Sequence, residues 1–204
     1  MQKTLILLLF YYVASIGLVL VILGFTSENK ELNVVAHLDL NRFQGTWYEI
    51  GHNPWFPEKD CFAMIAHYKL SSDRKISVIN ACRKNGFHGE ISKISGTAWV
   101  VEGKNQAKLE VQFLWPFTLD YWVIDLGENY DYAVIGEPDR ENLWILSREP
   151  IMDKKLLSKI IDRTKSKGYD LSSLILTPQD PLHSKCLARW IEEGMEEKRE
   201  APVC

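Results

Sequence analysis

The residues with the clearest chemistry in this sequence are four cysteines, Cys61, Cys82, Cys186 and Cys204. They are even in number, no two form a C-x-x-C pair, and none stands at zinc-ligand spacing from a histidine. This arrangement favours disulfide formation, and disulfides persist in proteins exported to an oxidising compartment. The cysteines therefore predict an exported, disulfide-bonded protein without a metal site.

Residue patterns for enzymatic chemistry are missing from the sequence. It contains no G-x-S-x-G elbow, no H-E-x-x-H motif, no phosphate-binding loop and no pair of carboxylates in a shared apolar setting. His52, His67 and His88 are scattered over predicted loops and strands, where a surface or hydrogen-bonded histidine is the default. The sequence therefore predicts no catalytic residues, no cofactor and no enzymatic activity.

Composition describes one ordinary domain with appendages. The 204 residues are 46% hydrophobic and 25% charged, with a net charge of −3, and such values are typical of a globular protein. No stretch is basic enough to release counterions from a phosphate backbone. We therefore set nucleic-acid binding aside.

The N-terminal segment differs from the rest of the chain. Residues 5–25 carry no charge, and about 20 apolar residues suffice to span a bilayer as a helix. A cleaved signal peptide usually has a shorter apolar region before a small-x-small site, for which Gly24 and Thr26 are a poor match. We favour an uncleaved hydrophobic helix that anchors the chain, with a cleaved signal peptide as the alternative. Lys3 before the span places the domain outside the cytoplasm.

From Gly45 onward, apolar residues recur with period two, which is typical of half-buried β-strands. Short turns rich in Gly, Asn, Asp and Ser separate these runs. Eight strands are predicted in succession, and their short connections favour an antiparallel up-and-down sheet that closes into a barrel. The later runs are Ile91–Val101, Leu109–Phe113, Tyr121–Leu126, Tyr130–Ile135 and Asn142–Ser147.

One amphipathic helix is predicted after the last strand. It starts near Pro150, ends at Gly168, and carries an apolar face that should pack on the outside of the barrel. A short closing strand is predicted over Leu174–Thr177. Residues 180–204 contain the charge-rich run EEGMEEKRE and are predicted to form a tail, with a frayed helix as the alternative.

Three segments resemble, in order and spacing, the conserved regions of the lipocalins: GTWYEI (Gly45–Ile50), ENYDYAVIG (Glu128–Gly136) and LWILSREP (Leu143–Pro150). The sequence is similar in particular to the bacterial lipocalins of the cell envelope and to apolipoprotein D. The predicted organisation is an anchor over residues 1–27, a linker over 28–37, a lipocalin barrel over 38–179 and a tail over 180–204.

The resemblance implies that Gly45, Trp47, Tyr130 and Arg148 form the structural signature of the barrel. Arg148 is expected to lie across the indole of Trp47, where a guanidinium gains about 0.5–2 kcal/mol. This pair would close one end of the barrel, and a ligand would enter at the opposite end.

The resemblance leaves two disulfide pairings open. Bacterial relatives suggest a bridge between Cys61 and Cys82 on neighbouring strands, whereas apolipoprotein D joins the region near Cys61 to the C-terminal segment, which here means Cys186. Alternation places Cys61 outward and Cys82 inward, which favours the second pairing unless the chain bends before Phe62. We prefer Cys61–Cys82, which leaves Cys204 to pair with Cys186 or with another chain.

The candidate ligand site is the interior and open end of the barrel. A barrel of eight strands either fills with side chains or holds one small ligand. An apolar wall suits an elongated apolar molecule such as a fatty acid or lysophospholipid, and aromatic residues of two loops, GHNPWFPEKD and FLWPFTLD, should surround the entrance. The predicted ligand-binding residues are Trp55, Phe56, Phe62, Met64, Tyr68, Val78, Val111, Phe113, Phe117 and Tyr121.

By resemblance, the protein is expected to bind and carry or store a small hydrophobic ligand on the extracytoplasmic side of the cell envelope. The N-terminal segment would hold it at a membrane, and a homodimer is left open. The first alternative is a lipocalin-fold enzyme acting on a lipid-like substrate, which requires a free thiol of low pKa or a buried acid at the cavity. The second is a barrel filled by its own side chains that acts as an interaction module.

Overall fold

The computed structural model describes residues 31–71, 75–101 and 106–193. The predicted N-terminal hydrophobic helix and the anchor over residues 1–27 lie outside the described residues, as does Cys204. Within the described ranges, no helix has both the length and the apolar character needed to cross a bilayer.

Eight antiparallel strands close into a barrel, which confirms the predicted β-barrel. Each strand pairs with the next one along the chain, and the first strand completes the ring by pairing with both the second and the eighth. Their bounds are β1 Gly45–His52, β2 Cys61–Leu70, β3 Ile76–Lys84, β4 Ile91–Val100, β5 Lys108–Leu114, β6 Phe117–Leu126, β7 Tyr132–Gly136 and β8 Leu143–Ser147.

Alternation along the strands sorts the apolar side chains into an inner and an outer layer. Trp47, Tyr68 and Val78 belong to the cluster inside the barrel. Ile50 and Ile145 belong to a second cluster on the outer surface. The barrel therefore has one core inside its wall and further apolar contacts beneath its flanking helices.

A single-turn helix, α1 (Leu40–Phe43), precedes the barrel, and a longer helix, α2 (Lys154–Ser166), follows it. Helix α2 packs on the outer layer through Ile160. It begins at Lys154, shortly after Pro150, because Asp153 caps the helix by accepting hydrogen bonds from two backbone N–H groups of its first turn. It ends where predicted, at Gly168, whose φ of +93° suits glycine.

A second flanking helix, α3 (Pro181–Glu192), forms from residues predicted to be a tail. Asp180 caps its N-terminus, and Leu187 and Ile191 are buried against Tyr48 and Ile65 of the barrel. The prediction of a single C-terminal helix is wrong, because the start of the predicted tail forms this second helix. The charge-rich run EEGMEEKRE favoured a tail, whereas the apolar residues before it recur at helical spacing.

A C-terminal segment fills the seam between β1 and β2 at one end of the barrel. The strand β9, Ile175–Leu176, pairs with β1, and Ala63 N–H donates to the carbonyl oxygen of Pro178 over 2.8 Å. Gly51 permits this close approach, because a Cβ there would lie 2.9 Å from the Ile175 carbonyl oxygen. The segment thereby brings Thr177 beside the inner face of β1.

The disulfide joins Cys61 to Cys82, with their Cα atoms 5.5 Å apart. A bulge in β2, at which Ala63 has a φ of +53°, shifts the alternation of the strand. Both cysteines therefore line the barrel interior. The preferred pairing is confirmed and the alternative with Cys186 is wrong, although Cys186 is itself disulfide-bonded.

Candidate ligand-binding cavity

One end of the barrel is closed by Trp47 and Arg148. Trp47 is fully buried, and the guanidinium carbon of Arg148 lies 3.7 Å from its ring centroid. Arg148 also donates hydrogen bonds of 2.8 Å to the carbonyl oxygens of Thr46 and Gln44. Burial lowers the pKa of Arg148 to about 10, so the group is still charged at neutral pH. The guanidinium thus ties the start of β1 across the barrel end.

Gly45 and Tyr130 complete this closed end. Gly45 has a φ of +89°, and a Cβ there would lie 3.4 Å from a terminal nitrogen of Arg148. The hydroxyl of Tyr130 accepts a hydrogen bond of 2.8 Å from Asp39 N–H, and its ring lies 4.1 Å from the guanidinium carbon of Arg42. The four signature residues therefore lie at the same end of the barrel.

Between the closed end and the opposite mouth lies a cavity of about 630 Å³, which is within the range of small-molecule sites. Its wall is mainly apolar and includes Ala66, Leu119 and Leu146. Eight of the ten residues predicted to bind a ligand line it: Trp55, Met64, Tyr68, Val78, Val111, Phe113, Phe117 and Tyr121.

The two remaining predicted residues differ from these eight. Phe62 packs edge-on against Phe87 with a centroid distance of 5.3 Å, and Phe87 stacks on His183 of the external helix α3. Its predicted inward orientation is wrong, because the bulge at Ala63 turns it out of the cavity wall. The side chain of Phe56 lies outside the described part of the chain.

The mouth is bordered by an apolar rim, which we define as Ile94, Leu114, Trp115 and Phe117. These side chains are 48%, 69%, 81% and 69% exposed, respectively. Ile94, Leu114 and Phe117 also line the cavity, so the rim marks where the cavity opens. Contiguous exposed apolar residues of this kind mark ligand, protein or membrane contacts.

Two tyrosines and an asparagine are among the polar residues of the wall. The hydroxyls of Tyr68 and Tyr121 lie 2.7 Å apart, and burial raises the pKa of both phenols. Asn80 also lines the cavity, and its Oδ1 is buried with no hydrogen-bond partner among the described residues. A ligand donor could therefore bind to Asn80.

Two carboxyl groups, those of Glu49 and Glu58, also lie in the cavity wall. They are only 3% and 9% exposed. The hydroxyl of Thr177 donates to Glu49. Trp144 Nε1 donates to both oxygens of Glu58, over 3.1 and 3.2 Å. The sequence-based conclusion that no two carboxylates share an apolar setting is wrong.

The alternation of β1 indicates that one member of this pair, Glu49, points inward. Glu49 is two residues beyond the inward-facing Trp47 and therefore shares its face of the strand. Glu58 gave no such signal, because it lies in a 3₁₀ turn, Phe56–Glu58, in the loop between β1 and β2. Its position depends on how that loop docks on the barrel.

His52 lies beside the two carboxyl groups. One oxygen of Glu49, one of Glu58 and one ring nitrogen of His52 lie within 4.8 Å of one another. His52 Nδ1 is 2.9 Å from the carbonyl oxygen of Asn53 and 3.0 Å from Oε2 of Glu58. Because a carbonyl oxygen only accepts hydrogen bonds, Nδ1 carries the hydrogen. This nitrogen is therefore a donor, not a metal-binding lone pair.

Burial sets the protonation of this cluster. It raises the pKa of Glu58 to about 7. Burial, and then the charge of Glu58, raise the pKa of Glu49 well above its ordinary value. Burial also lowers the pKa of His52. At neutral pH His52 is therefore neutral, and the two carboxyl groups together hold fewer than two negative charges.

A closed antiparallel barrel with one sealed end and an apolar cavity at the other defines a class of small-molecule-binding β-barrel proteins. The family model "Lipocalin-like domain" matches residues 38–179. The chain therefore belongs to the lipocalin family, which confirms the resemblance in the sequence.

Two relatives support this assignment, and a solved structure shares the fold. The chain is 38% identical over 162 residues to temperature-induced lipocalin-1 of Arabidopsis thaliana, covering 75% of this chain and 86% of that protein. It is 35% identical over 154 residues to the outer membrane lipoprotein Blc of Vibrio cholerae, covering 74% and 88%, respectively. Insecticyanin from the tobacco hornworm shares the fold, with a TM-score of 0.60 at 24% identity over 76% of this chain and 87% of that chain.

Proposed function

We propose that this lipocalin binds a small hydrophobic molecule in its cavity and carries or stores it in the cell envelope. The observation that carries the proposal is the cavity of about 630 Å³, with an apolar wall and a single apolar rim at its mouth. Members of the lipocalin family bind small hydrophobic ligands, which supports the same use of the cavity.

The ligand is a molecule with one long apolar chain, and fatty acids and lysophospholipids are the first candidates. A chain of ten methylenes would gain on the order of 8 kcal/mol on leaving water, before the cost of association. The residues proposed to contact this chain include Met64, Val78, Val111 and Phe113, which line the cavity. No covalent step is needed.

The proposed location is the extracytoplasmic face of a membrane. The relative from Vibrio cholerae is named an outer membrane lipoprotein, and the disulfide between Cys61 and Cys82 suits an oxidising compartment. The segment over residues 1–27 would anchor the chain. The apolar rim would then face a lipid surface from which the ligand enters.

A second candidate function is catalysis on a lipid-like substrate in the same cavity. Cys82 lines the cavity but is bonded to Cys61, and the part of the chain that the structure describes has no free cysteine. The buried acids Glu49 and Glu58 meet the other requirement for this candidate. The remaining alternative, a barrel filled by its own side chains, is disfavoured by the size of the cavity.

Native mass spectrometry of the full-length protein, purified without reductant from an oxidising compartment, tests the binding proposal. A co-purifying lipid of defined mass is expected, and organic extraction would identify its class. Protein that carries nothing and takes up neither a fatty acid nor a lysophospholipid would refute the proposal.

A matched pair of variants connects this result to the cavity. Leu119→Trp adds bulk at the cavity wall, whereas Ile151→Trp adds the same bulk at an external residue that is 61% exposed. The first substitution is expected to abolish lipid uptake and the second to leave it unchanged. Equal uptake by both variants would locate binding outside the cavity.

A further inference from the structure

We propose that the polar end of the ligand carries a positive charge and that Glu49 and Glu58 bind it inside the cavity. This inference rests on the proposed function and narrows its ligand to a cationic or zwitterionic single-chain amphiphile. The favoured headgroup is a substituted ammonium. A simple fatty acid, whose head is an anion, would bind less well.

The first argument is the position of the two carboxyl groups. Both line the cavity and are at least nine-tenths buried. Thr177 is the hydrogen-bond donor to the Glu49 carboxyl group, and that bond uses only Oε1. The other oxygen, Oε2, accepts no hydrogen bond from residues 31–71, 75–101 or 106–193, and Glu49 lines the cavity. A carboxylate oxygen that borders a cavity without a protein donor favours a ligand that supplies a donor or a charge.

The second argument is the missing counter-charge. Across the described ranges, neither Glu49 nor Glu58 forms an ion pair with a lysine or arginine. The nearby Lys84 donates through Nζ to the carbonyl oxygens of Pro57 and Lys59, over 3.2 and 2.8 Å. The charge of Lys84 opposes the effect of burial only in part, since the pKa of Glu58 is still raised to about 7. Lys93 also lines the cavity, so the two carboxyl groups lack a direct ion pair with a lysine or arginine, not every nearby cation.

The third argument is the aromatic surroundings. Trp55 and Trp144 both line the cavity, with ring centroids 6.2 Å apart at an interplanar angle of 78°. Trp144 also donates to Glu58, so the indoles and the carboxyl group adjoin. Faces of aromatic rings attract substituted ammonium groups. Acid and aromatic side chains together suit such a headgroup better than a metal ion.

The donor set argues against a metal ion for a second reason. The ring nitrogen of His52 that faces Glu58 also faces the carbonyl oxygen of Asn53, so it carries hydrogen. A metal ion bound to Nδ1 would have to displace that hydrogen and its two partners. An organic cation needs no such rearrangement.

The protonation of Glu58 should make the affinity for a cationic headgroup depend on pH. Burial raises the pKa of Glu58 to about 7, and a cation binds only to the ionised carboxyl group. The affinity for a cationic headgroup should therefore rise about tenfold between pH 6 and pH 8. The other titratable or charged groups that face the site or line the cavity are Glu49, His52, Tyr68, Lys84, Lys93, Asp120, Tyr121 and, at the closed end, Arg148.

Calorimetric titration of the full-length protein in phosphatidylcholine nanodiscs, with empty nanodiscs as the blank, tests the inference. The probes share one ten-carbon chain and differ in their heads: decyltrimethylammonium, 1-decanol and decanoate. Decyltrimethylammonium is expected to bind at least about tenfold more tightly than 1-decanol at pH 8. Equal binding of the three probes would overturn the inference and leave the proposed function standing, whereas binding of none would refute the proposed function.

Isosteric variants assign the effect to the two carboxyl groups. Glu49→Gln and Glu58→Gln should each lower the affinity for decyltrimethylammonium about tenfold or more and leave that for 1-decanol unchanged. Glu149→Gln, which changes a carboxyl group whose side chain is 67% exposed and lies outside the cavity wall, is the matched control and should have no selective effect. A selective loss in Glu149→Gln as large as that in the two cavity variants would overturn the assignment.

Titration with ZnCl₂ alone tests whether the two carboxyl groups bind a metal ion instead of an organic cation. Zinc binding that is lost in Glu49→Gln or Glu58→Gln, together with no preference for decyltrimethylammonium over 1-decanol, would identify a metal site and overturn the inference. A preference for decyltrimethylammonium that disappears in both variants would support it.

Discussion

Replacing Arg148 by methionine would remove the guanidinium that holds the closed end of the barrel. Methionine has a similar length and apolar character but donates no hydrogen bonds. The substitution abolishes the stacking on Trp47 and the three bonds of 2.8 Å to the carbonyl oxygens of Thr46, Gln44 and Arg42. The start of β1 would then lose its cross-link to the end of β8.

The size of the effect follows from opposing contributions. Hydrogen bonds from a charged donor contribute about 1.5–3 kcal/mol each, and the stacked guanidinium adds about 0.5–2 kcal/mol. Burial of the charge opposes these gains, because the fall in the pKa of Arg148 from 12.5 to about 10 corresponds to about 3 kcal/mol. Water also replaces the guanidinium at the exposed carbonyl of Arg42. We expect a net loss of about 2–4 kcal/mol in the free energy of unfolding.

Urea unfolding of the full-length protein, followed by circular dichroism, would measure this loss. Arg163→Met is the matched control, because Arg163 also contacts an aromatic ring, that of Tyr132, and bonds to Asp125 over 2.7 Å. Its side chain is 42% exposed, so its loss should cost no more than about 1 kcal/mol. An Arg148→Met variant within about 1 kcal/mol of the parent, or one no less stable than Arg163→Met, would refute the reasoning.

Three further predictions concern the disulfide, the buried acid and the rim. Replacing both Cys61 and Cys82 by serine opens a cross-link over a sequence separation of 21, which should cost about 3 kcal/mol in urea unfolding; a loss below about 1 kcal/mol would contradict the chain-entropy argument. Burial raises the pKa of Glu58 to about 7. The protonated carboxyl group therefore stabilises the folded state, and this contribution is complete below about pH 4.5. It is on the order of 2–3 kcal/mol and is lost as the pH rises to about 7. Glu58→Gln should flatten this decline in urea titrations between pH 4.5 and 7.5, and an unchanged slope would count against it. Trp115→Ser changes a side chain that is 81% exposed, so it should alter stability by less than about 0.5 kcal/mol but slow the transfer of a fluorescent fatty acid from phosphatidylcholine vesicles; equal transfer rates would argue against a lipid contact at the rim.

The barrel could be predicted from the sequence because strand alternation and turn residues are local signals. The phase of β2 could not, because the bulge at Ala63 gave no local signal and its backbone N–H bonds to Pro178, which lies far along the chain. Because of this bulge, Cys61 points inward and Phe62 outward, the reverse of the prediction. The register of a strand with a bulge is a tertiary property.

The candidate site was predicted in part for the same reason. Tyr68, Val78 and Val111 line the cavity because regular strands place alternate residues inward. The pair of Glu49 and Glu58 could not be foreseen, since one acid lies on a strand and the other in a loop turn. Only the docking of that loop against Trp144 brings the two carboxyl groups together.

The C-terminal segment in the seam also constrains the order in which the chain can mature. A domain made on the ribosome emerges from its N-terminus, so β1 and β2 are synthesised long before Ile175–Leu176 and Pro178. The late residues pair with β1, accept a hydrogen bond from Ala63 and donate one to Glu49. Contacts of such long sequence separation form slowly. A nascent barrel therefore acquires these contacts only near the end of synthesis, and a truncated chain that stops before residue 175 would lack the Thr177 hydroxyl that bonds to Glu49.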